Sequence, residues 1–323
     1  MIVRTSVTGP LPRSEALVRA TRDLDRRRTT PDTVEQLFAT TEREVLALER
    51  RLGFDTFTAG YLRWPDPFRP FAQSWEGFTV GPITRWFETN TFFRQPVLLA
   101  PPRRTPGTVA SWLPPPLREA PATARILLPG PYTFAGLLDN RSGESEVALI
   151  HRLGRLLGEE VRDLRSQGYA TFQFSEPLLV VRPPEGPAAA AVLAGYQAIS
   201  DGIDGGTSIV WTFGADARAA MPVLDRLPVS VVGIDLADTD VDHLPAGREG
   251  VALGLGVIDP RTTLGEEPAE VARVVRSACA RRRASTVLLG PGAPLDLLPW
   301  EPAARKLEAL PAARQALAEG GTA

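Results

Sequence analysis

Eight short runs of apolar and β-branched residues, separated over most of the chain by helical periodicity, constrain this sequence more than any other feature. They are Val3–Val7, Asp55–Ala59, Arg125–Leu128, Thr171–Phe174, Ser208–Phe213, Val229–Leu236, Val251–Val257 and Thr286–Leu289. Between the first two, Pro31–Leu52 places Val34, Leu37, Val45, Leu46 and Leu48 on one helical face and charges on the other. Glu144–Gln167 repeats the pattern with Val147, Leu149, Ile150, Leu153, Leu156, Leu157, Val161 and Leu164, and Ala269–Arg282 and Pro302–Glu319 complete the set. Alternating strands and helices predict a parallel sheet, and eight strands is the number that closes an α/β (β/α)8 TIM barrel. The 323 residues are therefore read as one barrel domain, 1–323. The span Leu62–Ala122, rich in proline and tryptophan, is expected to be a long insertion between the second and third strands. No linker composition brackets it, so a hairpin or lid is expected there. The tail Glu319–Ala323 is expected to fray.

Composition excludes several classes of function. The net charge is 36 − 38 = −2, which offers no general attraction for nucleic acid or an anionic membrane. With one cysteine, Cys279, no intrachain disulfide can form, and its helical setting reads as a small buried apolar side chain. Met1-Ile2-Val3-Arg4 lacks a basic segment followed by a long apolar run, and the most apolar stretch, Ala188–Ala194, is far short of the ~20 residues of a membrane span. A cytoplasmic protein with a small-molecule substrate is expected.

In a closed α/β barrel the chemistry sits where strands end. The first candidate strand runs into Thr8-Gly9-Pro10-Leu11-Pro12-Arg13, and the second into Gly60-Tyr61-Leu62-Arg63-Trp64-Pro65-Asp66. The third ends Leu128-Pro129-Gly130-Pro131-Tyr132-Thr133, the fourth Gln173-Phe174-Ser175-Glu176-Pro177, and the seventh Val257-Ile258-Asp259-Pro260-Arg261. In this order and at these separations the motifs resemble the catalytic C-terminal domain of the cobalamin-independent methionine synthase family. The resemblance is to its stand-alone form, within the uroporphyrinogen decarboxylase-like barrel superfamily.

The resemblance implies a zinc site that activates a thiol, and here the sequence departs from it. The positions of the family's ligands hold Val210, Thr212, Asp235 and Ala293, so one oxygen donor remains and no zinc is expected, because zinc sites need three or four ligands, mostly nitrogen or sulfur. His151 and His243 read as surface residues that do not restore it. The positions that would grip homocysteine hold Pro10, Tyr61 and Ser175, which removes the carboxylates facing its ammonium. On the folate side, Leu137, Val181 and Arg261 stand where the family has tryptophan, glutamate and histidine. The methyl donor, folate or corrinoid, stays open, and with it a corrinoid or other partner protein.

Arg13, Arg63, Asp66, Tyr132, Gln173, Glu176, Asp235, Asp259 and Arg261 are expected to border the barrel mouth. Asp235 and Glu176 are the candidate bases, Arg261 the group that stabilises negative charge, and Tyr61 or Tyr132 the proton donor. Arg13, Arg63, Tyr132, Gln173, Ser175, Trp211, Thr212 and Asp259 are candidates for contacting substrate, Trp211 being either core or a new pocket wall. Asp235 and Arg261, from adjacent strands, are expected to pair. The leading expectation is zinc-independent methyl or one-carbon transfer to an acceptor other than homocysteine. A metal-free lyase or decarboxylase would instead gather the arginines around an acidic substrate. A non-catalytic binding or partner subunit would need none of these groups.

Overall fold

The computed structural model describes residues 1–87, 89 and 91–319. Most of the frayed tail expected at Glu319–Ala323 lies outside the described residues. The strands are β1 (Ile2–Thr5), β2 (Glu76–Arg85), β3 (Phe92–Arg103), β4 (Arg125–Pro129), β5 (Asp139–Asn140), β6 (Thr171–Ser175), β7 (Thr207–Trp211), β8 (Val231–Asp235), β9 (Ala252–Ile258) and β10 (Thr286–Pro291). Seven of them form one parallel sheet in the order β1-β10-β9-β8-β7-β6-β4. Every residue of β4 and β8 is buried, which explains why these segments read as continuous apolar runs rather than alternating ones.

The sheet curls until both edges reach the same piece of chain. Asp55 N donates to Thr5 O at 2.9 Å on the β1 side, while Phe57 N donates to Thr123 O at 2.9 Å and Arg125 N to Phe57 O at 2.8 Å on the β4 side. The strand expected over Asp55–Ala59 is reduced to this single bridge at Phe57. The reason is local. The buried Glu49 carboxylate accepts from Thr58 N at 3.0 Å, Thr58 Oγ1 at 2.6 Å and Ala59 N at 3.0 Å, which draws those amides out of the sheet. Ala59–Tyr61 then turns with φ of 49°, 75° and 51°. The Tyr61 hydroxyl comes back to accept from Leu127 N at 2.8 Å, so a side chain serves the β4 edge where the strand has stopped.

The insertion holds the expected hairpin, with β2 antiparallel to β3 and β5 added in parallel to β3. Phe68, Phe71, Trp75 and Phe78 pack on Phe134, in the helix Pro131–Leu137 that follows β4. The hairpin is thereby fixed against the strand-end face of the sheet.

The amphipathic helices form near their expected bounds, over Pro31–Arg51, Glu146–Ser166 and Pro268–Arg282. Thr30 and Ser145 cap the first two by accepting from Thr33 N and Ala148 N. Pro302–Glu319 is instead two helices, Trp300–Leu307 and Ala309–Glu319. Among the helices without a sequence expectation, two are long, Glu15–Asp25 and the alanine-rich Gly186–Ile203. The second has little amphipathic contrast because it packs closely on Glu146–Ser166. A Cβ at Gly154, Gly158 or Gly202 would strike the facing backbone. No helix among the described residues is long and apolar enough to cross a membrane.

Candidate active site at the strand ends

Asp235 closes β8 and is buried, yet its carboxylate is not isolated. Oδ1 accepts from Ala237 N at 3.0 Å, and Oδ2 lies 2.8 Å from Arg261 Nη2. The expected pair therefore forms. Arg261 follows β9 and also reaches Asp238 at 2.5 Å and Asp259 at 3.1 Å, with about a third of its own side chain open to solvent. Burial pushes the Asp235 carboxyl up to about 6 against the opposing pull of Arg261. Asp259 itself caps Arg261 N at 3.0 Å, and its own amide donates to Glu266. One arginine among three aspartates leaves this corner of the face net negative. Asp238, which Gly214 N also contacts at 3.0 Å, was not anticipated from the sequence.

Trp211 occupies the interior beside this group. It is fully buried, its Nε1 donates to Gly292 O at 2.9 Å, and its indole lies over Gly233 and Gly254. These two glycines are in register with each other and with Trp211 on β8 and β9. Any side chain there would overlap the ring, so the glycines and the tryptophan form one packing unit.

The four positions to which the resemblance assigns zinc ligands do not fit that metal. Val210 and Ala293 carry no donor, Thr212 Oγ1 donates to Gly233 O at 2.9 Å, and Asp235 is held by Arg261. Among the described residues, no three histidine, cysteine, aspartate or glutamate side chains are grouped to hold a metal ion. His151 is exposed on its helix, and the exposed His243 contacts Asp240 through Nδ1 at 2.6 Å.

Glu176 is fully buried and occupied at both oxygens. Oε1 accepts from Tyr132 N at 3.0 Å and Tyr196 Oη at 3.3 Å, and Oε2 from Thr133 N at 2.8 Å and Thr133 Oγ1 at 2.6 Å. The carboxylate ties the end of β6 to the first turn after β4, and Gly130 is small because a Cβ there would overlap it. Burial raises this carboxyl to about 7 against those donors. Glu176→Gln should lower unfolding free energy by about 2–3 kcal/mol in urea titration, since an amide nitrogen would face N–H donors. A change below about 0.5 kcal/mol, the usual range for a neutral surface substitution, would refute this bracing role.

The remaining candidates are distributed rather than gathered. Tyr132 Oη donates to Arg182 O at 2.9 Å, and burial raises the hydroxyls of both Tyr132 and Tyr61. Gln173 sits inside the sheet, where its Nε2 donates to Thr8 O at 2.5 Å and its Oε1 accepts from the buried Arg125 at 3.0 Å. Arg125 escaped the sequence reading because it opens β4, away from the strand ends. Ser175 is partly exposed at the end of β6, in register with Trp211. Asp66 braces its own loop through Phe68 N and Arg69. Arg63 faces the helix Pro31–Arg51, doubly bonded to Glu35 at 2.6 and 2.8 Å and bonded to Glu42 at 2.7 Å. With Arg63 and Arg261 each neutralised by carboxylates, the arginines do not converge on one anion site.

Residues 76–282, well over half of the chain, match the family model described as cobalamin-independent synthase, N-terminal domain. The chain belongs to the cobalamin-independent methionine synthase family. The matching model names the N-terminal domain, whereas the strand-end motifs were read against the C-terminal catalytic one. A 5-methyltetrahydropteroyltriglutamate–homocysteine methyltransferase of Mycobacterium tuberculosis is 35% identical over 190 residues, covering 55% of this chain and 24% of that enzyme. The chain thus spans about a quarter of the length of such relatives. A methionine synthase of Sulfurisphaera tokodaii is 24% identical over 310 residues, covering 95% of this chain and 90% of that protein. A B12-independent methionine synthase from Shewanella sp. W3-18-1, solved in complex with selenomethionine, superposes with a TM-score of 0.77 at 18% identity over 99% of both chains. That likeness supports the α/β fold with its curled parallel sheet.

Proposed function

We propose that the chain is a methyl- or one-carbon-transfer enzyme that works without zinc, on an acceptor other than homocysteine, with Asp235 and Arg261 as its reacting groups. The geometry of that pair carries the reading. A carboxylate whose affinity for a proton is raised toward neutrality stands at a strand end, directly under a partly exposed guanidinium. A substrate reaches Asp235 by taking over its bond to Arg261. The acceptor's X–H then gives its proton to Asp235 as X bonds the methyl carbon. The donor's bond to that methyl breaks, and its electron pair leaves with the donor. Arg261 offsets the negative charge that develops. The relatives support methyl transfer as the reaction class. The family barrel, closed in full by eight strand positions, would set this pair at its mouth.

A second reading, a non-catalytic binding or partner module, draws on a specific observation. Glu176, Tyr61, Tyr132, Gln173 and Trp211 all spend their polar groups on internal hydrogen bonds, and the matching family model is that of the N-terminal domain. The two readings separate in a transfer assay with labelled methylcobalamin or methyltetrahydrofolate, a panel of thiol and amine acceptors, and a chelator. Methylated acceptor formed in chelator supports the enzyme. Absence of product across the panel, with alanine tolerated at Asp235 and Arg261 in vivo, supports the module.

A further inference from the structure

Three arginines were expected to border the strand-end face, and one of them reaches a candidate base. Arg13 Nε donates to Leu62 O at 2.7 Å, and Arg63 is taken up by Glu35 and Glu42. Arg261 stands against Asp235, carried by residues 259–267 between β9 and the helix Pro268–Arg282. The middle and the end of this loop meet a single side chain from elsewhere. Lys306, on the helix Trp300–Leu307, is fully buried, donates through Nζ to Leu264 O and lies 2.6 Å from Glu266 Oε1. The same Glu266 oxygen accepts from Asp259 N at 3.1 Å. Asp259 Oδ1 in turn accepts from Arg261 N at 3.0 Å and from Arg261 Nη1 at 3.1 Å. A continuous path of contacts thus runs from Lys306 through Glu266 and Asp259 to the guanidinium that faces Asp235.

Two features set this ion pair apart from one that serves stability. Both contacts of the carboxylate fall on Oε1, and Glu266 Oε2 is buried without a hydrogen-bond partner among the described residues. A buried pair with an oxygen left unpaired is commonly no more stabilising than apolar side chains of similar volume. Lys306 is also the only lysine among the chain's 36 lysines and arginines. An ammonium is a compact point charge that fits between a carbonyl and a carboxylate oxygen, where the wide planar fork of an arginine would not. What the pair supplies is position, since it ties the end of the loop to its start and anchors both to a helix.

We propose that Lys306 is a positioning residue, which with Glu266 latches residues 259–267 so that the Arg261 guanidinium is held against Asp235. Its consequence for catalysis rests on the reaction proposed above, whereas the latch itself does not.

NMR of the intact chain reads the latch without turnover, from the rate at which the Arg261 guanidinium rotates about its Nε–Cζ bond. The Arg261 signal is identified by its loss in Arg261→Lys. Lys306→Met should speed that rotation at least about tenfold, as for loss of one charge-assisted hydrogen bond. It should also lower stability in urea, because Glu266 is left charged and buried. Combining Lys306→Met with Glu266→Leu removes that charge and should recover most of the stability while Arg261 stays free. Rotation unchanged in both variants would overturn the latch, and so would rotation that returns to the unaltered rate in the double variant. A transfer assay forms the second arm, in which kcat should fall about 10²-fold in both variants, the cost of a small misplacement, with KM little changed. Fast rotation with kcat unchanged would support the latch and remove Arg261 from the reaction instead.

Discussion

Trp211→Ala is expected to lower the unfolding free energy by about 3–5 kcal/mol, the range for removing a large buried aromatic side chain. The upper part of that range is expected because the site cannot collapse. Gly233 and Gly254 line the floor of the space the indole fills, and neither has a side chain to move into it. The variant also leaves Gly292 O without the indole N–H that it accepts at 2.9 Å. Urea titration measures the loss, and added indole should restore part of it by refilling the cavity. A loss below about 1 kcal/mol, well short of the cost of a core truncation, would show that the ring is a pocket wall and that Trp211 is available to a ligand.

Asp235→Asn should cost about 10²–10⁴ in kcat with little change in fold, the contribution usual for a positioned general base. In the unaltered chain, activity should rise as pH climbs through about 6 and level off above it, because the base works ionised and its carboxyl is held near 6 by burial. Stability should move the other way. The ordinary value is 3.8, so between 3.8 and about 6 the folded chain holds a proton that the unfolded chain releases. The stabilisation from Asp235 is therefore complete below the lower value and is lost as pH rises through the upper one. Asparagine should remove both dependences. A pH profile that keeps its limb near 6 in the variant would assign that limb to another group.

Seven of the eight expected strands form, and in six of them burial on both faces writes a parallel strand as an apolar run; β1, buried only at Thr5, was legible from its β-branched residues instead. The eighth failed at Thr58 and Ala59, where the carboxylate of Glu49, in the last turns of the preceding helix, takes two amides from the sheet. A strand-like run does not show that a nearby buried carboxylate will turn back onto it. The helix Gly186–Ile203 was missed for a related reason, since glycines that permit close packing erase the polar–apolar contrast that reveals a helix. At the site, Asp235 and Arg261 could be paired from the sequence because adjacent strands end together. Glu176 and Gln173 were placed at the mouth by the same rule, and it does not tell whether a strand-end side chain points outward or turns to brace the next loop. Asp238 lies three residues beyond the end of β8, where loop geometry alone decides what it faces.

In the proposed reaction this family member acts through Asp235 and Arg261 and not through zinc. Methyl transfer from methylcobalamin or methyltetrahydrofolate, measured for the unaltered chain and Asp235→Asn after exhaustive chelation, tests it most directly. Product is expected from the chelated protein, unchanged when zinc is returned, with a collapse of that activity in Asp235→Asn. Activity that disappears on chelation and returns with one equivalent of zinc would contradict it.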